Sequence, residues 1–275
     1  MNVIYEPKGK AREYSPLAAN LYSGCGHKCV YCYVPSVIQR DREDFDNNIS
    51  GRNNVIEQLK KDAKKIYNSD KQVLMSFSTD PYNPLNEQMN LTTKALKIFL
   101  DNKIPVAILT KSGTKALVDL DLFKKFGEHI KIGASLTYDN SEQSLRTEAG
   151  AAIPDDRLEM LRVCHENNIK TWVSFEPIII QSQTINLINK TLDFVDEYQF
   201  GKLAEEKRNI LWFDYLTKVT AILRTAQKDF YIKKTLRDAV PNFIFNKHEV
   251  EMDYLTLPKF KVGQECFEES LFANA

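Results

Sequence analysis

Three cysteines near the start of this 275-residue chain, Cys25, Cys29 and Cys32, form the pattern CxxxCxxC. The chain has five cysteines in all, so a spacing this close calls for a chemical reason. Thiolates are preferred ligands of soft metal ions and of iron–sulfur clusters. A four-iron cluster normally takes four cysteines, so three leave one iron with an open coordination position. The loop therefore predicts a 4Fe-4S cluster with one reactive corner.

Two other uses of cysteine fit the pattern less well. A structural zinc site normally closes with four ligands in two pairs, and the distant Cys164 and Cys266 form no second pair. A disulfide framework is disfavoured because the number of cysteines is odd and no apolar signal segment precedes the first residues. We expect a cytoplasmic, reduced protein. A non-catalytic, zinc-stabilised interaction module stays open as an alternative.

The overall charge and hydropathy narrow the class of partner. Lys plus Arg and Asp plus Glu both number 37, so the chain lacks the basic excess of most sequence-independent nucleic-acid binders. No apolar run approaches the length of a bilayer span, and no lipidation motif is visible. We therefore expect no membrane role.

The hydrophobic pattern alternates between short β-branched runs and longer amphipathic segments. The runs predict strands at residues 17–22, 72–78, 105–110, 129–136, 170–175 and 197–203. The amphipathic segments predict helices at residues 54–66, 91–102, 115–126, 154–167, 184–195 and 210–227. This alternation predicts an α/β fold of parallel strands with right-handed crossovers, a partial (β/α)6 TIM-type barrel. Residues 1–240 would form the barrel, and residues 241–275 a C-terminal extension packed on it.

Polar residues follow several of these strands, where parallel barrels place their active sites. Ser78, Thr79 and Asp80 end the second strand and offer acceptors for an ammonium group. Lys111 follows the third strand and can meet a carboxylate across the mouth of the barrel. Glu176 lies in a run that reads as buried strand, so its carboxylate needs a ligand or a basic partner.

The cysteine triplet, with Tyr31 just before the third cysteine, resembles the signature of the radical S-adenosylmethionine (radical SAM) enzymes. Residues 5–17, 78–82, 110–112 and 175–177 further resemble the spore photoproduct lyase-like branch, also called DNA repair photolyase-like. The resemblance covers residues from about 5 to 240. It implies the same partial barrel, and a 4Fe-4S cluster whose open iron chelates the amino and carboxylate groups of SAM. It also implies an electron donor such as flavodoxin or ferredoxin.

The resemblance also implies roles for individual residues. Ser78, Thr79 and Asp80 would hold the methionine amino group, and Lys111 would contact the cofactor. Ser135 and Thr137 would supply ribose-binding hydroxyls. Tyr31 and Glu176 complete the set of cofactor-binding residues that the resemblance implies. The full set is Tyr31, Ser78, Thr79, Asp80, Lys111, Ser135, Thr137 and Glu176.

Tyr31 would touch the adenine, Tyr33 would relay a radical as a catalytic residue, and Glu176 would bind the ribose or line the substrate cavity. The chain departs from the lyase at Phe77, which stands near the position of the lyase's hydrogen-donating cysteine. Repair of spore photoproduct is therefore not expected. Arg157 and the basic cluster that contains Lys233 are predicted on solvated faces.

These observations together predict a radical SAM enzyme that cleaves SAM reductively to a 5′-deoxyadenosyl radical. The leading substrate hypothesis, from the branch resemblance, is a lesion or modified base in nucleic acid. The alternative within the enzyme class is modification of a peptide or of a small metabolite.

Overall fold

The computed structural model describes residues 2–203 and 208–261. In that part of the chain the strands β1 to β10 cover Ile4–Tyr5, Leu17–Ala19, Tyr22–Ser23, Ser50–Gly51, Val73–Met75, Val106–Thr110, Ile130–Ser135, Lys170–Ile178, Glu197–Lys202 and Asp229–Ile232. The helices α1 to α11 cover Val34–Val37, Arg42–Asn47, Val55–Lys65, Asn86–Met89, Leu91–Asp101, Leu120–Phe126, Ser141–Thr147, Pro154–Glu166, Gln181–Thr191, Trp212–Thr225 and Lys234–Arg237. Short 3-10 helices lie at Gly9–Ala11, Gly113–Asp119, Gly127–His129 and Lys247–Glu249.

One eight-stranded sheet, in the order β1-β2-β5-β6-β7-β8-β9-β10, organises the fold. From β2 to β10 every neighbouring pair in this sheet is parallel. The two edge strands, β1 and β10, do not pair with each other in the described residues, so the barrel is open. The α/β fold and its partial parallel barrel confirm the sequence prediction.

The sheet has two strands more than the prediction. β10 adds a seventh parallel strand beside β9, and β1 adds an antiparallel edge beside β2. Both are short, with four and two residues, and periodicity alone cannot identify runs of that length. The helix predicted at residues 115–126 is a 3-10 helix at Gly113–Asp119 followed by α6.

Apolar residues of the strands and of one face of each long helix form the core. Ala95 and Phe99 of α5 and Leu161 and Cys164 of α8 are fully buried in it. Residues spaced by three or four positions share one face of a helix, so these pairs cover the sheet. The prediction that Cys164 packs in the core is confirmed.

The segment after residue 246 crosses the amino-terminal ends of the strands, away from the cysteines. The Phe260 ring stacks on His129 with 3.7 Å between the ring centroids. Lys131 Nζ, at the start of β7, donates to the Leu255 carbonyl at 2.6 Å. The Leu257 amide donates to Gln72 Oε1 at 3.0 Å, just before β5. The division at residue 240 stays a prediction, and Cys266 and the rest of the C-terminal extension after residue 261 lie outside the described residues.

None of the helices in residues 2–203 and 208–261 combines the length and the apolar character that a membrane crossing requires.

Candidate active site

A cavity opens at the carboxyl ends of the parallel strands and is lined by Cys25, Cys29 and Cys32. The chain enters the cysteine loop from β3, which pairs with β4 as a separate antiparallel ribbon. Gly24 makes this turn with a φ of +82°, and a Cβ there would lie 2.8 Å from two backbone carbonyl oxygens. Only glycine adopts this conformation in so little space.

A second segment, residues 147–150, holds the cysteine loop in place. The Val30 amide donates to the Thr147 carbonyl at 2.9 Å, and the Gly150 amide donates to the His27 carbonyl at 3.0 Å. A Cβ on Gly150 would lie 1.9 Å from the Gly26 carbonyl oxygen. The two segments therefore pack backbone against backbone, a contact that no pattern in the sequence predicts.

The three thiols are largely buried. Burial raises the pKa of Cys25 to about 12 and that of Cys29 to about 11, and it also raises the pKa of Cys32. The thiols are therefore neutral near pH 7 until a metal replaces their protons. Within residues 2–203 and 208–261, no three His, Cys, Asp or Glu side chains are already placed to hold one metal ion. Binding would need the cysteine side chains to reorient.

The donors around the thiols nevertheless fit a cluster with an organic ligand. Three soft ligands lie on one loop at the wall of a cavity. The hydroxyls of Ser76 and Thr79 line the same cavity, are buried, and find no hydrogen-bond partner in the described residues. Buried hydroxyls usually have partners, so these two mark a place where a polar ligand would complete the site.

Asp80 connects the cysteine loop to the ends of β5 and β6. Its carboxylate lies 3.0 Å from His27 Nε2 and accepts from Thr110 Oγ1 at 2.8 Å and from the Lys111 amide at 2.7 Å. Ser112 Oγ donates to it at 3.1 Å. Burial would raise the pKa of Asp80, but His27 and the other donors lower it to about 2.

Both oxygens of Asp80 therefore already accept from protein donors. The sequence analysis predicted instead that they would accept from the ammonium group of a ligand. The hydroxyls of Ser76 and Thr79, at the end of β5, are buried acceptors that no other described residue engages. Ser78 also lines the cavity, and its amide donates to Asn20 Oδ1 at 2.9 Å.

Glu148 is the centre of a buried polar network that sequence reasoning missed. Its carboxylate lies 3.0 Å from Lys111 Nζ and 2.6 Å from Arg157 Nη2, and it accepts from the Tyr31 hydroxyl. The Tyr31 hydroxyl also lies 3.1 Å from Thr137 Oγ1. Burial would raise the pKa of Glu148, but Lys111 and Arg157 hold it well below its usual range. Two predicted site residues, Tyr31 and Lys111, thus meet at one carboxylate, and Thr137 joins them through the Tyr31 hydroxyl.

The prediction that Arg157 is solvated is wrong. The side chain is 1% exposed and donates to the Ser135 carbonyl at 2.8 Å, which ties α8 to the end of β7. An arginine in the first turn of a helix is usually solvated, whereas here the buried Glu148 and two backbone carbonyls accept from it. The sequence around Glu148 carries no signal for this role.

Glu176 of β8 also lines the cavity. Its carboxylate accepts from Lys233, which follows β10, and from the Tyr14 hydroxyl. The basic partner expected for Glu176 is therefore present. Burial would raise the pKa of Glu176, but Lys233 lowers it. Lys233 is 1% exposed, so its predicted place on a solvated face is wrong.

Tyr33 and Phe77 line the cavity side by side, with 6.4 Å between their ring centroids. Ser135 lines it as well, at the end of β7. The structure thus brings the predicted site residues to one cavity or to the shell directly behind it.

The sequence matches the radical SAM superfamily over residues 19–195. The uncharacterized protein MJ0683 of Methanocaldococcus jannaschii is 31% identical over 184 residues, which are 66% of this chain and 68% of that protein. The uncharacterized protein ORF301 of Acidianus two-tailed virus is 26% identical over 210 residues, which are 69% of this chain and 67% of that one.

Solved structures with low sequence identity share the fold. Streptococcus suis SuiB bound to S-adenosylmethionine has a TM-score of 0.60 at 16% identity, over 83% of this chain and 53% of SuiB. A spore photoproduct lyase double mutant with bound AdoMet and dinucleoside spore photoproduct has a TM-score of 0.57 at 14% identity, over 89% of this chain and 65% of the lyase. The chain thus spans about half of SuiB and less than two thirds of the lyase. With its cysteine loop at the open end of a partial parallel barrel, the chain belongs to the radical SAM superfamily of enzymes.

Proposed function

We propose that Cys25, Cys29 and Cys32 hold a 4Fe-4S cluster and that the cavity beside them binds SAM. When bound, this pair of cofactors supplies a 5′-deoxyadenosyl radical that abstracts hydrogen from a substrate. The observation that carries the proposal is the convergence of the three thiols and the unpartnered hydroxyls of Ser76 and Thr79 on one cavity. The chain's contribution is to bind, orient and shield the reacting groups.

The contacts suggest how the chain would orient SAM. Ser78 and Thr79, at the end of β5, offer oxygens to the methionine ammonium, and Asp80 fixes the loop that carries them. Lys111 can share its charge between Glu148 and the methionine carboxylate, because its ammonium has three donors.

The remaining contacts concern the nucleoside half of SAM. Tyr31, held by Glu148 and Thr137, presents its ring to the adenine. We assign the ribose to the hydroxyls of Ser135, which lines the cavity, and of Thr137, which lies behind Tyr31. We assign Tyr33 a catalytic position at the boundary between cofactor and substrate, because it lines the cavity directly after the third cysteine.

An electron donor such as flavodoxin or ferredoxin would reduce the cluster. The Cys29 and Cys32 carbonyls accept hydrogen bonds from Arg42, whose side chain is 38% exposed. The loop therefore lies close to the protein surface, as electron entry requires.

A lesion or modified base in nucleic acid is the substrate class that we favour. The cavity is also lined by Lys10 and Lys202 and by the aromatic rings of Tyr33 and Phe77. Cations and aromatic faces are the usual means of holding a single-stranded nucleotide. Spore photoproduct lyase, which shares the fold, has been solved with a dinucleoside lesion. Because Phe77 stands where that lyase is expected to have a donor cysteine, we propose a different lesion or modification.

A peptide substrate is the second candidate, because SuiB has been solved with its precursor peptide SuiA. A small metabolite is a further alternative within the same chemistry.

The direct test of the cofactor is anaerobic reconstitution with iron and sulfide. The wild type should hold about four irons, and replacement of Cys25, Cys29 and Cys32 together by Ala should abolish iron binding. Cys164→Ala is the matched control, because Cys164 is a buried free cysteine that lies in the core on α8. One zinc and no iron in the wild type would instead favour the zinc-stabilised module.

SAM binding is tested separately from iron content. With a strong reductant, the reconstituted protein should cleave SAM slowly to 5′-deoxyadenosine without substrate. Thr79→Ala, Lys111→Ala and Ser135→Ala should each weaken SAM binding and leave the iron content unchanged. Unchanged SAM affinity in all three variants would refute this assignment of the binding residues.

A further inference from the structure

The cysteine loop lies between the cavity and a groove on the protein surface. Cys29 and Tyr31 line the cavity, whereas Lys28 and Val30, which alternate with them along the chain, line the groove. Cys32 lines both and is the one residue that the cavity and the groove share. A group held by Cys32 would therefore lie beside the groove as well as beside the cavity.

The rest of the groove is formed by α1, by the turn that follows it and by α2. The residues of these elements that line it are Pro35, Ser36, Gln39, Arg40, Arg42 and Asp46. Residues 36–39 are all exposed. The groove is therefore open to a partner as large as a protein.

Three exposed apolar side chains follow this groove. Val30 is 65% exposed and Val37 is 68% exposed, and Ile38 beside it is exposed as well. Single exposed apolar residues are ordinary on a protein surface. Three of them within a short stretch of chain, along one groove, form a patch of the kind that contacts another protein.

The charges of the groove add one uncompensated cation to this patch. Among the residues that line the groove, Lys28, Arg40 and Arg42 outnumber one acid, Asp46. Both arginines are paired with aspartates of α2, so their charge is largely compensated. Lys28 donates to the neutral Asn47 Oδ1 at 2.7 Å and forms no ion pair within the described part of the chain. The groove thus offers a partner an apolar contact with a positive charge beside it.

Reductive cleavage of SAM consumes one electron for each molecule that is cleaved. SAM and a substrate would fill the cavity, and a carrier protein is too large to enter it. The electron therefore needs another face of the cysteine loop. The groove provides this face, because Cys32 lines it.

We propose that this groove is the docking surface of a small one-electron carrier protein. The carrier would contact Val30, Val37 and Ile38 with an apolar surface and Lys28 with an acidic group. The inference rests on the proposed function and names the place where its electron enters. The carrier loses one electron, the cluster gains it, and no atom or proton passes between the two proteins. Redox encounters bury less than about 1,200 Å² in total, so a small patch suffices.

The substitution Val37→Glu tests the apolar contact, because it places a charge in the docking surface and leaves the lining of the cavity intact. The probes are reduced flavodoxin, reduced ferredoxin and dithionite, a small reductant that needs no docking surface. With dithionite, wild type and variant should cleave SAM at equal rates. With the carrier that reduces the wild type, the variant should need about 10-fold more carrier for half-maximal rate, the loss expected for one central contact of an interface.

Binding of the carrier is measured separately from activity by titration calorimetry. Val37→Glu should raise the Kd about 10-fold. Val118→Glu is the matched control and should keep the wild-type Kd, because Val118 is 71% exposed but lines neither the cavity nor the groove. Lys28→Ala should weaken binding at low ionic strength, and this difference should disappear at high ionic strength because salt screens an exposed charge.

Hydrogen exchange of the wild type keeps the inference testable if Val37→Glu does not fold. The bound carrier should slow the exchange of the amides of residues 36–40. Unchanged exchange there, equal effects of Val37→Glu and Val118→Glu on the carrier-driven rate, or reduction by neither carrier would overturn the inference. Cleavage driven by dithionite involves no docking, so it would still support the proposed function in each of these cases.

Discussion

Replacement of Glu148 by Gln should destabilise the chain strongly. Glu148 and Arg157 are buried, with 0% and 1% side-chain exposure, and 2.6 Å separates their charged groups. Lys111 is 13% exposed and lies 3.0 Å from the same carboxylate. Removal of the negative charge leaves two poorly solvated cations facing each other. Breaking a buried pair in this way costs about 3–5 kcal/mol, and because the glutamine keeps one acceptor we expect about 3 kcal/mol.

Equilibrium urea unfolding of the cluster-free chain, followed by far-ultraviolet circular dichroism, measures this loss. Glu142→Gln, on the helix α7 that ends just before Glu148, is the matched control, because Glu142 pairs with Arg146 but is 71% exposed. An exposed pair of this kind contributes less than about 1 kcal/mol. The double substitution Glu148→Gln with Arg157→Met should recover part of the lost stability, because it also removes one of the uncompensated cations.

The reasoning is refuted if Glu148→Gln and Glu142→Gln have free energies of unfolding within about 1 kcal/mol of each other, since exposed pairs contribute no more than that. Failure of the double substitution to recover any stability would show that packing, rather than charge, explains the loss.

Three other outcomes are expected. Asp62 accepts from the Val3 amide at 2.7 Å; burial would raise its pKa, but this bond and those from Lys65 and Gln58 lower it. Its stabilisation is therefore complete above about pH 4, the ordinary aspartate pKa, and is lost on further acidification. Asp62→Asn should lower the free energy of unfolding by about 1–2 kcal/mol at pH 6. The difference between wild type and variant should shrink toward pH 3, and urea titrations at both pH values measure it. Phe260→Ala should lower the free energy of unfolding by about 3–5 kcal/mol, because the Phe260 ring is buried on His129. Tyr254→Ala should lower it little, because the Tyr254 side chain is half-exposed. Similar melting temperatures of the two variants would contradict this. Gly150→Ala should prevent iron incorporation, because its Cβ would lie 1.9 Å from the Gly26 carbonyl oxygen; a full iron complement would show that the cysteine loop tolerates the shift.

Much of the fold and the cofactor chemistry could be predicted from the sequence, because both depend on local patterns. The spacing of Cys25, Cys29 and Cys32 indicates a cluster with an open iron without any knowledge of the fold. Six strands could be identified because each is an apolar run between amphipathic helices, and their parallel order follows from that alternation. The need of Glu176 for a basic partner also follows locally, since a carboxylate in a buried strand requires one.

The partners themselves depended on tertiary structure. Lys233 lies 57 residues after Glu176, and Arg157 lies nine residues after Glu148, in sequence contexts typical of solvated cations. Such a charge is buried only when distant segments of the chain pack around it. Neither composition nor hydrophobic periodicity predicts which distant segments do so. The same holds for Asp80, whose oxygens are engaged by donors from the cysteine loop and from the end of β6. Local patterns in the sequence predict the cofactor chemistry, whereas the tertiary structure determines which charged groups remain open to a ligand, because long-range contacts control desolvation and pairing.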